Sequence, residues 1–238
     1  MNILKFDQES TWVEGIVTFW RDRLLHNPAL KMCLPTGLTP NQAYAEMARC
    51  CKKGQLSFSK TSIYLLDEYG GLSATDPGKS FNMLKERLIN HIDLPKDKFH
   101  FLNTEATKLD EECKGYETAI GGRFDLVLLG IGLNGHLGLN EPGSEIESGV
   151  RKVRLAPSSR ESCQRYLKHN QLPEWGLTIG LKQLLAAKEV WLLANGGKKA
   201  EIIERTVRGE ISNQLPASLL RNHPKCFLFV DGEAGSRL

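Results

Sequence analysis

The 238-residue chain is most informative at first for what it lacks. No apolar run approaches the roughly 20 residues of a membrane-spanning helix, and mean hydropathy is −0.31. There is no strong charge bias: 31 Lys+Arg stand against 28 Asp+Glu, a net charge of +3. Nucleic-acid binding calls for a basic stripe or patch, and none is visible. The six cysteines (Cys33, Cys50, Cys51, Cys113, Cys163 and Cys226) form no CxxC pair, and Cys50 and Cys51 are adjacent. That pattern suits neither a zinc knuckle nor a redox motif, and reads as small buried residues in a reducing compartment. HExxH, other metal-ligand spacing and the GxSxG nucleophile elbow are all missing, so no metal site and no serine-hydrolase elbow is expected. The N-terminus, Met1-Asn2-Ile3-Leu4-Lys5-Phe6-Asp7, has no basic start followed by an apolar stretch. The expectation is a cytoplasmic protein with no leader, no membrane span and no nucleic-acid partner.

What is present is enough apolar residue (41%) to build a core and an ordinary 25% of charged residue. Short, nearly continuous apolar runs stand at Leu30 to Leu34, Ile63 to Leu66, Phe124 to Leu129, Val190 to Ala194 and Phe227 to Val230. Such runs mark parallel strands buried on both faces. Between them lie segments of helical period. Residues 40–53 place Ala43, Tyr44, Met47, Ala48 and Cys51 on one face; Thr39 is positioned to cap this helix, with Pro40 first and Gln42 completing a capping box. Gly54 supplies a stop. Residues 108–121 align Leu109, Cys113, Tyr116 and Ile120, residues 198–208 align Ala200, Ile203 and Val207, and residues 9–26 turn Trp12, Ile16, Phe19, Trp20 and Leu24 inward. Alternating strand and helix without a linker predicts a single α/β domain over residues 1–238: a three-layer, Rossmann-like fold with a mostly parallel sheet.

In such a sheet ligands bind beyond the carboxyl ends of the strands. Four polar, glycine-rich segments fall there: Pro35 to Thr39, Asp67 to Gly71, Gly130 to His136 and Asn195 to Lys199. The first enters a helix N-terminus, whose free N–H groups and dipole favour an anion, with the Thr36 and Thr39 hydroxyls as extra donors. Without its neighbours it would equally describe a plain capped helix. Lys198 and Lys199 open another helix and offer charge to a phosphate, although a two-lysine run is also the mark of a solvated surface. Gly130-x-Gly132-x-x-Gly135 matches the dinucleotide fingerprint in form only, because Gly138, Pro142 and Gly143 preclude the helix that must follow, and the motif comes after two other βα units. No dinucleotide or other cofactor is therefore expected. His136 suits proton transfer near neutral pH, Glu141 is placed to orient or charge it, Asn134 can donate or accept, and Asp67 is a candidate carboxylate base once shielded from water.

Leu34-Pro35-Thr36-Gly37, Leu66-Asp67-Glu68-Tyr69 and the block from Gly130 to Gly143 resemble the signature blocks of the glucosamine-6-phosphate deaminase/isomerase family. The resemblance continues through Ser159 to Arg165, Leu177 to Gly180, Gly197 to Ala200 and Leu215 to Ser218, so it covers nearly the whole chain in order. Asn134 to Gly143 and Gly176 to Lys182 look most similar to the galactosamine-6-phosphate isomerase branch. The resemblance implies conversion of a 2-amino-2-deoxy-hexose 6-phosphate to a ketohexose 6-phosphate and ammonia. It implies Asp67 as the base moving a proton between C2 and C1, His136 as the ring-opening group, and Glu141 and Asn134 as its supports. Thr36, Gly37, Thr39, Arg165 and Lys199 would hold the phosphate.

Two positions depart from the commonest pattern. Asn134 stands where many members carry Asp, which excludes a charged relay through this position but leaves a hydrogen-bonding one. Leu38 stands where the phosphate loop has glycine, which removes backbone freedom. The chain also ends soon after its last predicted strand, so the tail of allosterically regulated members is not expected. Two other functions share this type of fold: the hydrolase 6-phosphogluconolactonase, and non-catalytic sugar-phosphate sensors. The loop Leu137 to Pro142, and Tyr69 after Asp67-Glu68, differ from the lactonase pattern. The sensors carry a DNA-binding head, which is not expected here because the N-terminal helix leads directly into the strand at 30–34.

Overall fold

The computed structural model describes residues 1–167 and 172–238. Its strands are β1 (Asn2–Phe6), β2 (Lys31–Leu34), β3 (Ser62–Leu65), β4 (Asp67–Tyr69), β5 (Phe99–His100), β6 (Leu126–Gly130), β7 (Arg151–Arg154), β8 (Trp175–Thr178), β9 (Glu189–Ala194) and β10 (Cys226–Asp231). The helices are α1 (Glu9–His26), α2 (Asn41–Lys52), α3 (Ser80–Arg87), α4 (Leu109–Ile120), α5 (Pro157–Cys163), α6 (Leu181–Leu185) and α7 (Ala200–Arg208). Seven strands form a parallel sheet in the order β1-β10-β9-β6-β2-β3-β5.

Side-chain alternation explains the near-continuous apolar runs. Met32, Leu34, Ile63, Leu65, Leu126, Leu128, Trp191 and Leu193 join one core with α1 and α2. Their neighbours Cys33, Tyr64, Val127, Leu129, Val190 and Leu192 join another with α4 and α7. Each central strand thus feeds two cores, which removes polar residues from both of its faces. The layers are helix, sheet, helix: a single-domain α/β fold with a mostly parallel sheet. Helix α1 buries Trp12, Ile16, Trp20 and Leu24 as its spacing predicts, each contributing roughly 1.5–3 kcal/mol of hydrophobic stabilisation.

Several local expectations are corrected. The capping box on α2 does not form: Pro40, not Thr39, is the N-cap, no side chain caps the helix, and the Gln42 amide donates to Glu9 at 3.0 Å. Cys50 is the fully buried cysteine of α2; Cys51 packs against the same core but is only partly covered, and donates to Asp93. On α7, Ile202 and Thr206 are buried with Ile203, and Val207 is only partly covered. A 3-10 turn, Gly197–Lys199, precedes that helix.

The larger surprise is a second, antiparallel sheet, β4-β8-β7. The segment after Leu66 is a strand here and not the loop its polarity suggests. The Leu66 amide still bonds Leu34 of the parallel sheet at 3.0 Å, while its carbonyl accepts from Ile179. One residue later Asp67 pairs with Thr178. Asp67 therefore sits where the chain crosses between sheets. Three residues of β4 and four of polar β7 are too short to leave a periodic signal.

Candidate functional site

All four segments predicted to converge do so. A cleft of about 530 Å³ beyond the carboxyl ends of the parallel strands is lined by Pro35 to Thr39, Asp67 and Tyr69, Gly130 to Leu133 with His136, and Asn195 to Lys199. Arg165, Tyr166 and Ser159 close another side. The described residues contain no His/Cys/Asp/Glu cluster that could hold a metal ion.

Asp67 lies on the cleft wall with 8% of its surface exposed. Burial raises its carboxyl to about 6, opposed by the Ser80 hydroxyl and the charge of His136. Ser80 donates to Asp67 Oδ1 at 3.3 Å and accepts from the Thr36 hydroxyl at 3.2 Å. The adjacent Glu68 is fully buried and points elsewhere. Its carboxylate accepts the amides of Tyr69, Ser80 and Phe81 at 2.8, 2.9 and 2.9 Å, fastening the start of α3 to β4. Burial nevertheless pushes Glu68 up to about 7.

His136 stands on the loop that leaves β6. Its Nδ1 faces Ser159 Oγ at 3.1 Å and Glu141 Oε2 at 3.5 Å, leaving Nε2 as the nitrogen for the cleft. Burial would raise Glu141, but the hydrogen bond and charge of His136, with Ser159 and Asn134, hold it down at about 2. Glu141 and Asn134 do not line the cleft; they form the support behind the imidazole. Asn134 Nδ2 donates to Glu141 Oε2 at 2.8 Å, and Asn134 Oδ1 accepts the His136 amide at 3.1 Å. Gly132 is required by close approach, since a Cβ there would overlap the His136 ring.

Lys199 and Lys198 are separated by the fold. Lys198 is exposed, whereas Lys199 turns inward and donates to the Ile131 carbonyl. Burial and the charge of Arg165 lower Lys199 to about 8. The Arg165 guanidinium lies 5.6 Å from the centre of the Tyr166 ring. The Tyr166 hydroxyl accepts the Leu38 amide at 3.2 Å. Leu38 has no positive φ, so its backbone does not need glycine. Thr36, Gly37 and Thr39 all line the cleft with it.

The residues brought to the cleft wall are thus Thr36, Gly37, Thr39, Asp67, His136, Arg165 and Lys199. Ser80 and Tyr166 line or back the site without any sequence signal, and Ser159 is marked only as the start of a segment of resemblance. Each reaches the site from a helical segment distant in sequence, and a lone hydroxyl carries no spacing signal.

Fold and site together define a three-layer α/β protein whose polar cleft lies beyond the strand ends, with a buried carboxyl, a histidine and a cationic rim. Residues 9–228 match the model of the family described as glucosamine-6-phosphate isomerases/6-phosphogluconolactonase, and the chain belongs to that family. Among its relatives, a glucosamine-6-phosphate deaminase of Shouchella clausii is 36% identical over 239 aligned residues, covering 99% of this chain and 97% of the relative. One from Bacillus pumilus is 35% identical, with 99% of each covered. The solved structure of a monomeric glucosamine-6-phosphate deaminase superposes with a TM-score of 0.96 at 32% identity over the whole of both chains. A 6-phosphogluconolactonase of Thermotoga maritima shares the fold, with a TM-score of 0.76 at 20% identity over 97% of this chain and 99% of the other.

Proposed function

We propose that the protein converts a 2-amino-2-deoxy-hexose 6-phosphate, with glucosamine-6-phosphate the first candidate and its C4 epimer galactosamine-6-phosphate the second, to a ketohexose 6-phosphate and ammonia. One observation carries this reading: a buried carboxyl with raised proton affinity, Asp67, and the backed imidazole of His136 line one cleft whose rim holds Lys199 and Arg165.

The chemistry follows from those groups. The phosphate is held by the Thr36 to Thr39 loop, Lys199 and Arg165, and this remote binding energy aligns the reacting carbons. His136, through Nε2, handles the ring-oxygen proton as the pyranose opens to the C1 aldehyde. That carbonyl acidifies the C2 proton, which ionised Asp67 removes. O1 takes up a proton from the substrate ammonium as the enolamine forms, and Asp67 returns the C2 proton to C1, leaving C1 an alcohol and C2 an imine. Water adds at C2 and ammonia leaves, giving the ketone. C1 is reduced as C2 is oxidised, so the balance closes within the substrate plus one water. A carboxyl near 6 suits a base that must be mostly ionised at neutral pH and still basic.

Support against lactone hydrolysis comes from the loop after His136, which folds so that Glu141 backs the imidazole, and from the named function of the relatives above 30% identity. The test follows ammonia release from glucosamine-6-phosphate and galactosamine-6-phosphate beside consumption of 6-phosphogluconolactone. Ammonia from at least one amino sugar, with the lactone untouched, is expected. Lactone consumption without ammonia overturns the reading.

A further inference from the structure

The two oxygens of the Asp67 carboxyl have different surroundings. Oδ1 accepts from Ser80, a fully buried residue in the first turn of α3. Among the described residues no hydrogen bond reaches Oδ2. That oxygen lies over Gly138, which has φ +60°, and a Cβ added there would stand 3.2 Å from it. Gly138 also lines the cleft, so the space beside Oδ2 is kept open by the missing side chain.

Ser80 is itself held at both ends. Its amide is bonded to Glu68 at 2.9 Å, which locks the helix start against β4. Its hydroxyl accepts from Thr36, on the loop that follows β2 and also lines the cleft, and donates to Asp67. A serine hydroxyl has one proton to give, and the Thr36 contact directs it at the carboxylate. At 3.2 and 3.3 Å both contacts are long for hydroxyl donors, which leaves room for them to tighten when the cleft fills.

We infer that Ser80 is a positioning residue for Asp67: it fixes the carboxyl through Oδ1, makes Oδ2 the oxygen that carries the proton, and ties the carboxyl to the phosphate loop through Thr36. This rests on the reaction proposed above. The consequence is a link between the loop that holds the phosphate and the base. A phosphate that engages the Thr36 hydroxyl alters the donor that polarises Ser80, and so the base that Ser80 holds. The titratable groups facing Asp67 are His136 from the loop after β6, Cys33 of β2, Tyr44 of α2 and Tyr69 of its own strand. Cys33 and Tyr44 are buried and pushed well above their ordinary values, so they stay neutral across the working range. Tyr69 is held neutral in the same way.

The test has two arms, run on Ser80→Ala and on Ser80→Cys, which keeps the volume and a weak donor. In the first, the Asp67 carboxyl is titrated by 13C NMR in the substrate-free protein. Loss of a donor to the carboxylate should move its midpoint upward by roughly one unit in Ser80→Ala, with Ser80→Cys between it and the parent. An unchanged midpoint overturns the inference. In the second, turnover of glucosamine-6-phosphate is followed. The expected result is a ~10- to 100-fold loss in kcat with KM within about twofold, and an acid limb displaced in the same direction as the NMR midpoint. A change in KM alone overturns it. Should the parent protein turn over no amino-sugar phosphate, the reaction assigned above fails, and the NMR arm still decides whether Ser80 holds Asp67.

Discussion

Asn134 and Glu141 are joined by a 2.8 Å hydrogen bond from Nδ2 to Oε2, and that same oxygen faces Nδ1 of His136. The amide serves two partners at once, since its Oδ1 accepts the His136 backbone amide. An Asn satisfies this arrangement where an Asp would set two carboxylates against each other. Asn134→Asp should therefore raise Glu141 from about 2 by at least roughly one unit, read by 13C NMR of labelled glutamate. The backbone amide keeps its acceptor, so turnover should stay within about tenfold. An unmoved Glu141 would show that the amide contributes nothing to its charge.

Asp67→Asn should abolish turnover by ~10³-fold or more while leaving sugar-phosphate binding close to the parent value. It should also stabilise the fold. The sign follows from linkage: the folded carboxyl holds its proton up to about 6 whereas the unfolded one releases it near 3.8. Stability therefore falls as pH rises through that window, and at pH 7 the full cost of burying the charge is present. Asparagine removes that cost, so a gain of about 1–3 kcal/mol is expected by denaturant unfolding at pH 7, shrinking toward pH 4. A variant that is no more stable than the parent would mean the carboxylate is better solvated than its burial implies.

Burial and the neighbouring Arg165 let Lys199 carry its charge only below about 8. Phosphate binding favours the charged form, so kcat/KM should decline above pH 8, and its acid limb should fall near 6 with Asp67. Lys199→Ala should raise KM by ~10- to 100-fold with a smaller effect on kcat, and lose the alkaline limb. Steady-state kinetics between pH 5 and 10 check both. A KM unchanged in the variant would remove Lys199 from the phosphate site.

Gly132→Ala places a Cβ in the space occupied by the His136 ring, with no flexible chain end to yield. The imidazole must leave its position against Ser159 and Glu141. The expected outcome is a loss of ~10²-fold or more in kcat with the far-ultraviolet circular dichroism unchanged. Near-parent activity would show that His136 need not sit against the loop backbone.

Much of the architecture was legible along the chain. The runs at 30–34, 63–66, 124–129, 190–194 and 227–230 become strands β2, β3, β6, β9 and β10 within a few residues, because strands buried on both faces leave an unbroken apolar trace. Edge strand β1 and the β4-β8-β7 sheet leave no such trace: Asn2–Phe6 is largely exposed, and Arg151–Arg154 is charged and turned partly to solvent. The α2 capping box failed for a different reason, since a Thr-x-x-Gln pattern specifies only a compatible spacing and the tertiary contact of Gln42 with Glu9 took the side chain elsewhere.

The sequence by itself determined the class of fold, the absence of any membrane-length apolar run, and the four segments that meet beyond the strand ends, because hydrophobic period and glycine placement are local properties of the chain. Only folding settles which of those residues meet. It buried Asp67 at the crossing between two sheets, turned Lys199 inward and Lys198 outward, and set Glu141 behind His136. It also brought Ser80, Ser159 and Tyr166 into the site from segments distant in sequence. Proton affinity, hydrogen bonding and charge coupling depend on distance and burial, and those exist only once the chain has folded.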